Sequence, residues 1–268
     1  LLHNRNNNCS RWWKVDNLMI FGEVGLNHNG STIYAKKYID FHKKLKFDVL
    51  TFQIREPQFY ERKEKKHLVL PDKFYSAFAK KYSKLKNLNS GISLSSLETF
   101  EKVKKFNFSY YKILSIAAKD DKLINKIIHE TNAKVYISCG ILKFNDLKKI
   151  IKKYKQKSRI KFIYTQLTYE KNELNLRNFF ILTRKYPNKF AYGHHYTNSL
   201  PIYVAHAIDN IDIFVYLKGN KKIIHPDEKH SFDFKKFDKL LKDIVEIKTL
   251  IGRKNVFTAK NTIPDQNK

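Results

Sequence analysis

Short runs rich in β-branched and aromatic residues alternate eight times along this chain with longer stretches whose apolar residues recur at the helical period of 3.6. A chain of repeated strand and helix units has few ways to fold, because neighbouring strands must pair and each helix must cover the sheet beside it. The runs predict strands near Leu18 to Val24, Asp48 to Gln53, Gly91 to Leu94, Tyr110 to Leu114, Lys134 to Ser138, Ile160 to Thr165, Phe190 to Gly193 and Ile211 to Leu217. Eight such units in about 250 residues fit a closed (β/α)8 TIM barrel. The barrel is expected over residues 18–252, with 1–17 as an N-terminal extension and 253–268 as a C-terminal tail. An open, doubly wound sheet is the alternative. The missing glycine-rich turn after the first strand counts against its dinucleotide-binding form.

The helices carry start and stop signals. Ser31 precedes the stripe Ala35, Tyr38, Ile39 and His42; Asp72 precedes Phe74, Phe78 and Tyr82; Asn145 precedes Leu147, Ile150, Ile151 and Tyr154. All three read as helix caps. The last helix runs from Asp233 to Ile251, with Phe237, Leu240, Leu241, Ile244 and Ile247 on one face and Gly252 as its stop. Hydrophobic residues make up 42 % of the chain, enough for a packed core and too many for disorder. No apolar run reaches the roughly 18 residues of a membrane-spanning helix, and no secretory signal is visible at the start. Cys9 and Cys139 are too few for a disulfide framework or a thiolate metal site, which points to the cytoplasm.

The formal net charge of +28 raises the question of a polyanionic partner. Cut at residues 90 and 180, the chain carries +10, +11 and +7, with no basic arm and no acidic counterweight. Only 8 of the 53 basic residues are Arg, the side chain whose planar fork suits phosphates and base edges. A diffuse lysine coat on solvated helix faces is the better reading; nucleic acid is not the expected partner, and a weak polyanion-binding surface stays open.

In a barrel the chemistry sits at the carboxyl ends of the strands. After the first strand comes Gly22-Glu23-Val24-Gly25-Leu26-Asn27-His28-Asn29-Gly30-Ser31. An acid inside an apolar strand is costly unless paired or used, so Glu23 reads as functional. Asn27 and Asn29 read either as mouth groups or as turn formers, with Gly30 supplying a left-handed backbone and Ser31 a cap. Lys112 lies in another apolar strand, where an anion is expected to meet it, and Ser115 follows three residues on. Ser138-Cys139-Gly140 offers a hydroxyl and backbone N–H groups to a phosphate, or simply a turn. His194 and His195 follow the seventh strand and point to opposite faces, so at most one reaches a given metal ion. The segment His225-Pro226-Asp227-Glu228-Lys229-His230-Ser231 follows the eighth.

In order, these segments resemble the sialic acid synthase (N-acetylneuraminate synthase) family, from about Ile20 to Gly252. The opening Gly22-Glu23-Val24-Gly25-Leu26-Asn27-His28-Asn29-Gly30 is close to the family's E-[IV]-G-x-N-H-N-G. Ala35-Lys36-Lys37-Tyr38-Ile39-Asp40 follows it. Phe52-Gln53 resembles its K-F-Q, Tyr111-Lys112-Ile113 with Ser115 its Y-K-I-x-S, and Ser138-Cys139-Gly140 its S-T-G. Asn175-Leu176-Arg177 matches N-L-R, and Pro226-Asp227 with Ser231 resembles P-D-H-x-x-S. The resemblance implies a transferase of sugar biosynthesis that condenses phosphoenolpyruvate with an N-acylated amino-sugar aldehyde to give a nonulosonic acid. It implies that Lys112, Ser115 and Ser138 hold phosphoenolpyruvate, that Asn27, Gln53, Tyr169 and Asp227 bind substrate, and that Glu23 orients the sugar or relays a proton. A divalent metal, Mn or Mg, on two histidines would polarise the aldehyde, with His195 as one ligand. In the family a C-terminal antifreeze-like domain lends an Arg to the partner's active site in a homodimer; that domain is expected to be absent here.

Several positions depart from the pattern. Thr51 stands for the Lys of K-F-Q, His194 for the Asp before the metal His, and Glu228 for the His of P-D-H. Tyr216-Leu217-Lys218 stands where the family has Glu-Lys-His, so Lys218 replaces the second metal ligand. Ala117 replaces an acid and Leu167 an Asn. His194, His230 and Glu228 are the groups that could rebuild a metal site. The departures leave a second function open, a barrel that has lost catalysis and binds a sugar or a partner protein.

Overall fold

The computed structural model describes residues 18–85, 87–208, 211–219 and 223–251. The N-terminal extension, Cys9, Gly252 and the C-terminal tail therefore lie outside the described residues. Eight parallel strands close into a barrel in sequence order: β1 Ile20–Gly25, β2 Val49–Gln53, β3 Asn89–Leu94, β4 Tyr110–Ile113, β5 Lys134–Ser138, β6 Ile160–Thr165, β7 Phe190–His194 and β8 Asp212–Tyr216. The helices are α1 Thr32–Leu45, α2 Pro57–Glu61, α3 Asp72–Tyr82, α4 Leu97–Val103, α5 Asp121–Glu130, α6 Phe144–Tyr154, α7 Leu176–Lys185, α8 Leu200–Ile208 and α9 Phe234–Ile251. The (β/α)8 expectation holds. The short α2 is an addition to the regular alternation, sitting between β2 and α3.

Strand periodicity explains how the barrel interior is divided. Phe21, Val49, Tyr110, Tyr136, Ile163, Ala191 and Phe214 form one buried cluster, with Phe21 stacked on Phe214 at 4.0 Å and edge-on to Tyr136 at 4.9 Å. This is a hydrocarbon plug. Two residues further along the same strands come Glu23, Thr51, Lys112, Ser138, Thr165, Gly193 and Tyr216, so the next layer is mostly polar. The intervening residues, such as Leu50, Ile92, Ile113, Ile137 and Val215, belong to the larger core shared with the helices. Beneath the plug, Asp212 accepts bonds from Met19 N at 3.1 Å, Tyr136 OH at 2.7 Å and Lys161 Nζ at 2.6 Å. A buried acid is thereby satisfied while β1 is tied to β8.

Ser31 caps α1, accepting from Tyr34 N at 3.1 Å. Two of the expected caps differ. Asp72 is the first helical residue of α3, whose N-cap is the extended Pro71, and Asn145 lies inside α6, whose N-cap is Lys143. Proline fixes φ near −65°, so the chain turns into α3 without a side-chain cap, and Asp72 acts on the helix dipole from the first turn. Asp233 does start α9, its carboxylate accepting from Lys236 N at 2.8 Å, while Ile247 is only half-buried on a face otherwise carried by Phe237, Leu240, Leu241 and Ile244.

Candidate active site at the barrel mouth

The polar layer centres on two strands that sequence places far apart. Lys112 Nζ of β4 donates to Glu23 Oε1 of β1 at 2.5 Å, and both side chains are almost wholly buried. The ammonium also lies 5.4 Å from the ring centroids of Phe214 and Tyr216, within cation–π range. Lys112 thus already has an anion inside the protein, and Glu23 has its counter-charge. Beside them Ser115 and Ser138 share a hydrogen bond of 2.9 Å between hydroxyls. Gly140 passes so close that a Cβ there would lie 3.3 Å from Ser115 Oγ. Gln53 is buried opposite Ser93 across the β2–β3 pair.

The segment 223–231 forms the opposite wall, and Asn27 fixes it. The Asn27 carboxamide accepts from Asp227 N at 2.9 Å and donates to Ser231 Oγ at 2.9 Å and Leu217 O at 2.8 Å. Asn27 is fully buried, so its visible task is to hold Asp227 in place. Ser231 in turn donates to Asp227 O at 2.6 Å. Gly25, at φ +55°, allows this approach: a Cβ would lie 2.7 Å from Asp227 Oδ2 and 2.7 Å from the Tyr216 ring. Burial pushes the Asp227 carboxyl up to about 6, and the nearby Glu23 charge adds to the rise against the pull of the Leu26 N–H, Lys112 and Lys65. The Tyr216 hydroxyl is pushed well up by burial, then by Glu23 and Asp227, with Arg55 opposing. Glu23, Lys112, Asp227 and the Tyr216 hydroxyl therefore act on one region.

The neighbouring histidines separate as strand geometry demands. His194 packs outside the barrel, 5.3 Å from the Phe232 ring centroid, whereas His195 lies inside, 5.2 Å from Tyr216. His230 stacks on His195 at 4.3 Å with planes 29° apart, and its Nδ1 faces Tyr169 OH at 3.1 Å. Burial holds His230 down to about 4, helped by Lys112, and holds His195 well below its ordinary value, with His230 and Lys112 adding to the effect. Both rings are neutral at pH 7. Tyr169, Asp227, His195 and His230 thus share one side of the mouth.

The residues fit a divalent ion poorly. Lys218, at the expected second ligand position, donates its ammonium to Glu228 Oε1, so a cation stands there and the carboxylate is taken. His194 faces the helix layer. His195 and His230 are stacked on each other at 4.3 Å. Among the described residues no three His, Cys, Asp or Glu side chains converge in a way that could hold a metal ion.

The chain's sequence matches the NeuB family over residues 38–256. The chain belongs to the NeuB family. Solved structures agree on the fold. The N-acetylneuraminic acid (sialic acid) synthetase of Leptospira borgpetersenii serovar Hardjo-bovis, in complex with citrate, superposes with a TM-score of 0.80 at 21 % identity, over 91 % of this chain and 88 % of that one. Spore coat polysaccharide biosynthesis protein spsE of Bacillus subtilis gives 0.74 at 14 % identity, over 87 % and 68 %. A truncated 3-deoxy-D-arabino-heptulosonate 7-phosphate synthase of Thermotoga maritima gives 0.66 at 16 %, over 88 % of each. No curated protein matches the chain.

Within this NeuB-family barrel, three features of the mouth escaped the sequence reading. His230 was read as a group that could rebuild a metal site, and nothing periodic in that segment announces its stacking on His195. Arg55 follows Gln53 by two residues, lies 4.2 Å over the Phe59 ring and holds Glu56 in a bidentate pair at 2.8 and 3.0 Å. An Arg just past a strand end was the available signal. The third is the linkage from Lys218 through Glu228 and His225 to Tyr34, which joins the end of β8 to α1. Among the described residues no helix is long and apolar enough to cross a membrane.

Proposed function

We propose that the protein condenses phosphoenolpyruvate with an N-acylated amino-sugar aldehyde to form a nonulosonic acid, in the cytoplasm and as a homodimer. The buried Lys112–Glu23 pair at the mouth of a NeuB-family barrel carries this reading. The Lys112 side chain in this buried site is available to the phosphate or carboxylate of an anionic donor once Glu23 turns to the second substrate. The paired hydroxyls of Ser115 and Ser138 can both rotate to donate to the same anion. Asp227, held near 6, is suited to give or take a proton at neutral pH, and Tyr169, Gln53 and His230 offer hydrogen-bonding groups to a polyhydroxylated acceptor. The π electrons of the enol form the new bond to the aldehyde carbon while the C=O π pair moves onto the aldehyde oxygen, which takes up a proton; water adds to the resulting cationic carbon and gives up a proton, and phosphate leaves from that carbon as its ketone forms. A second reading, a barrel that binds a sugar or a partner protein without turnover, draws on Thr51, which leaves the β2 position without a cation, and on the engaged Lys218.

The experiment is phosphate release from phosphoenolpyruvate by the purified full chain across a panel of acylated hexosamines. Release that needs an acceptor supports condensation, and Glu23→Gln is then expected to abolish it while phosphoenolpyruvate still binds. No release with any acceptor refutes the enzyme reading; saturable sugar binding without release establishes the second.

A further inference from the structure

Two of the departures from the family pattern are joined to each other in the fold. Lys218 and Glu228 stand at positions where the resemblance calls for histidine, and they carry opposite charges. Lys218 Nζ donates to Glu228 Oε1 and lies 3.3 Å from Glu228 O. The other carboxylate oxygen of Glu228 receives His225 Nδ1 at 3.0 Å and His225 N at 3.3 Å, and His225 Nε2 lies 2.8 Å from Tyr34 OH at the start of α1. The next residue, Gly219, donates its N–H to Tyr38 OH at 3.0 Å, and that hydroxyl donates to Asn27 O at 3.1 Å.

We infer that the Lys218–Glu228 ion pair replaces a divalent metal ion in this site, fixing the segment 223–231 against β8 and α1 so that the barrel works without one. The inference rests on the function proposed above. A single replacement of a ligand by Lys would leave an unpaired ammonium beside a dication's place, and a single Glu would leave an unpaired carboxylate. Together the two charges neutralise each other and satisfy their hydrogen bonds, so neither is free to take part in coordination. His195 then packs against His230 and Tyr216 as a neutral ring. Lys218 and Glu228 are positioning residues, and the cation that faces the reacting groups is Lys112.

The test is a titration of the full chain with Mn2+, read by the electron paramagnetic resonance signal of the free ion. The wild type is expected to leave the signal undiminished at one equivalent. The double variant Lys218→His/Glu228→His is expected to take up one equivalent. Uptake of one equivalent by the wild type that is lost in His195→Gln or His230→Gln overturns the inference, and so does a folded double variant that takes up none. Phosphate release unaffected by EDTA supports it; release abolished by EDTA and restored by Mn2+ refutes it. If no acceptor gives release, the function reading has failed, and the ion titration still decides this one.

Discussion

Replacing Asp227 by Asn is expected to stabilise the fold at neutral pH and to change it little in acid. The carboxyl is held at about 6 rather than 3.8, first by burial and then by the Glu23 charge. Such a group binds its proton more firmly folded than unfolded, so stability falls as pH rises from the unfolded value through the folded one. At about 1.4 kcal/mol per pKa unit, the ionised carboxylate costs the folded state up to about 3 kcal/mol above pH 6. The Asp227 side chain is 26 % exposed. Solvent screening therefore brings the expected gain to about 2 kcal/mol. Asn keeps an oxygen for the Leu26 N–H and removes the charge. Urea unfolding of both proteins should show the variant ahead by about 2 kcal/mol near pH 7.5 and by less than about 1 kcal/mol near pH 4. A gap that does not change with pH, or an Asn variant that is weaker at pH 7.5, refutes the argument that Asp227 is a buried, Glu23-repelled acid.

Lys112→Met leaves Glu23 buried without its counter-charge and is expected to cost about 3–5 kcal/mol, whereas Lys112→Met/Glu23→Gln should recover most of that loss; denaturant midpoints of the four proteins in the cycle measure it, and additive losses would show that the pair is not coupled. Gly25→Ala puts a Cβ at positive φ and against Asp227 Oδ2, so a loss of about 1–3 kcal/mol is expected, and a variant as stable as wild type would show that the β1 end relaxes freely. Asn27→Ala removes two hydrogen bonds to the segment that carries Asp227 and a third to Leu217 O at the end of β8. Amide exchange at Asp227 and at the Phe232 bridge to β8 should accelerate by at least tenfold, the equivalent of about 1.4 kcal/mol, and unchanged protection there would remove Asn27 from its positioning role.

Most of the barrel was legible because both faces of its strands are buried. Runs such as Tyr110 to Leu114 and Ile160 to Thr165 carry an unbroken β-rich signal, and the observed strands start and end within about two residues of the expected limits. Helix starts were less legible where backbone geometry does the work of a cap. Pro71 and Lys143 precede α3 and α6 without any side-chain bond to the first turn, so the nearest polar residues, Asp72 and Asn145, were mistaken for the caps. Ile247 fits the apolar stripe of α9 by period alone, but the barrel wall no longer covers that turn of the helix fully.

The candidate site divides along the same line between what a strand imposes and what only tertiary contact reveals. That His194 and His195 must part company follows from a period of two and needs no coordinates. That an acid and a lysine each sit at cost inside an apolar strand was equally plain, but their separation by 89 residues hid that each is the reason the other is tolerated. Lys112 was therefore assigned only to an external anion. Asn27 shows the same limit, since a polar residue on a strand-end loop gives no sign in the sequence that its carboxamide closes on Asp227, Ser231 and Leu217. Lys218 and Glu228 make the point most sharply. Read singly, each is a lost histidine and an argument for decay; read as a bonded pair, they are one change with opposite charges in contact. Lys218, Glu228, His225 and Tyr34 form one connected set of hydrogen bonds, so the two charges that stand for histidines meet each other rather than standing unpaired.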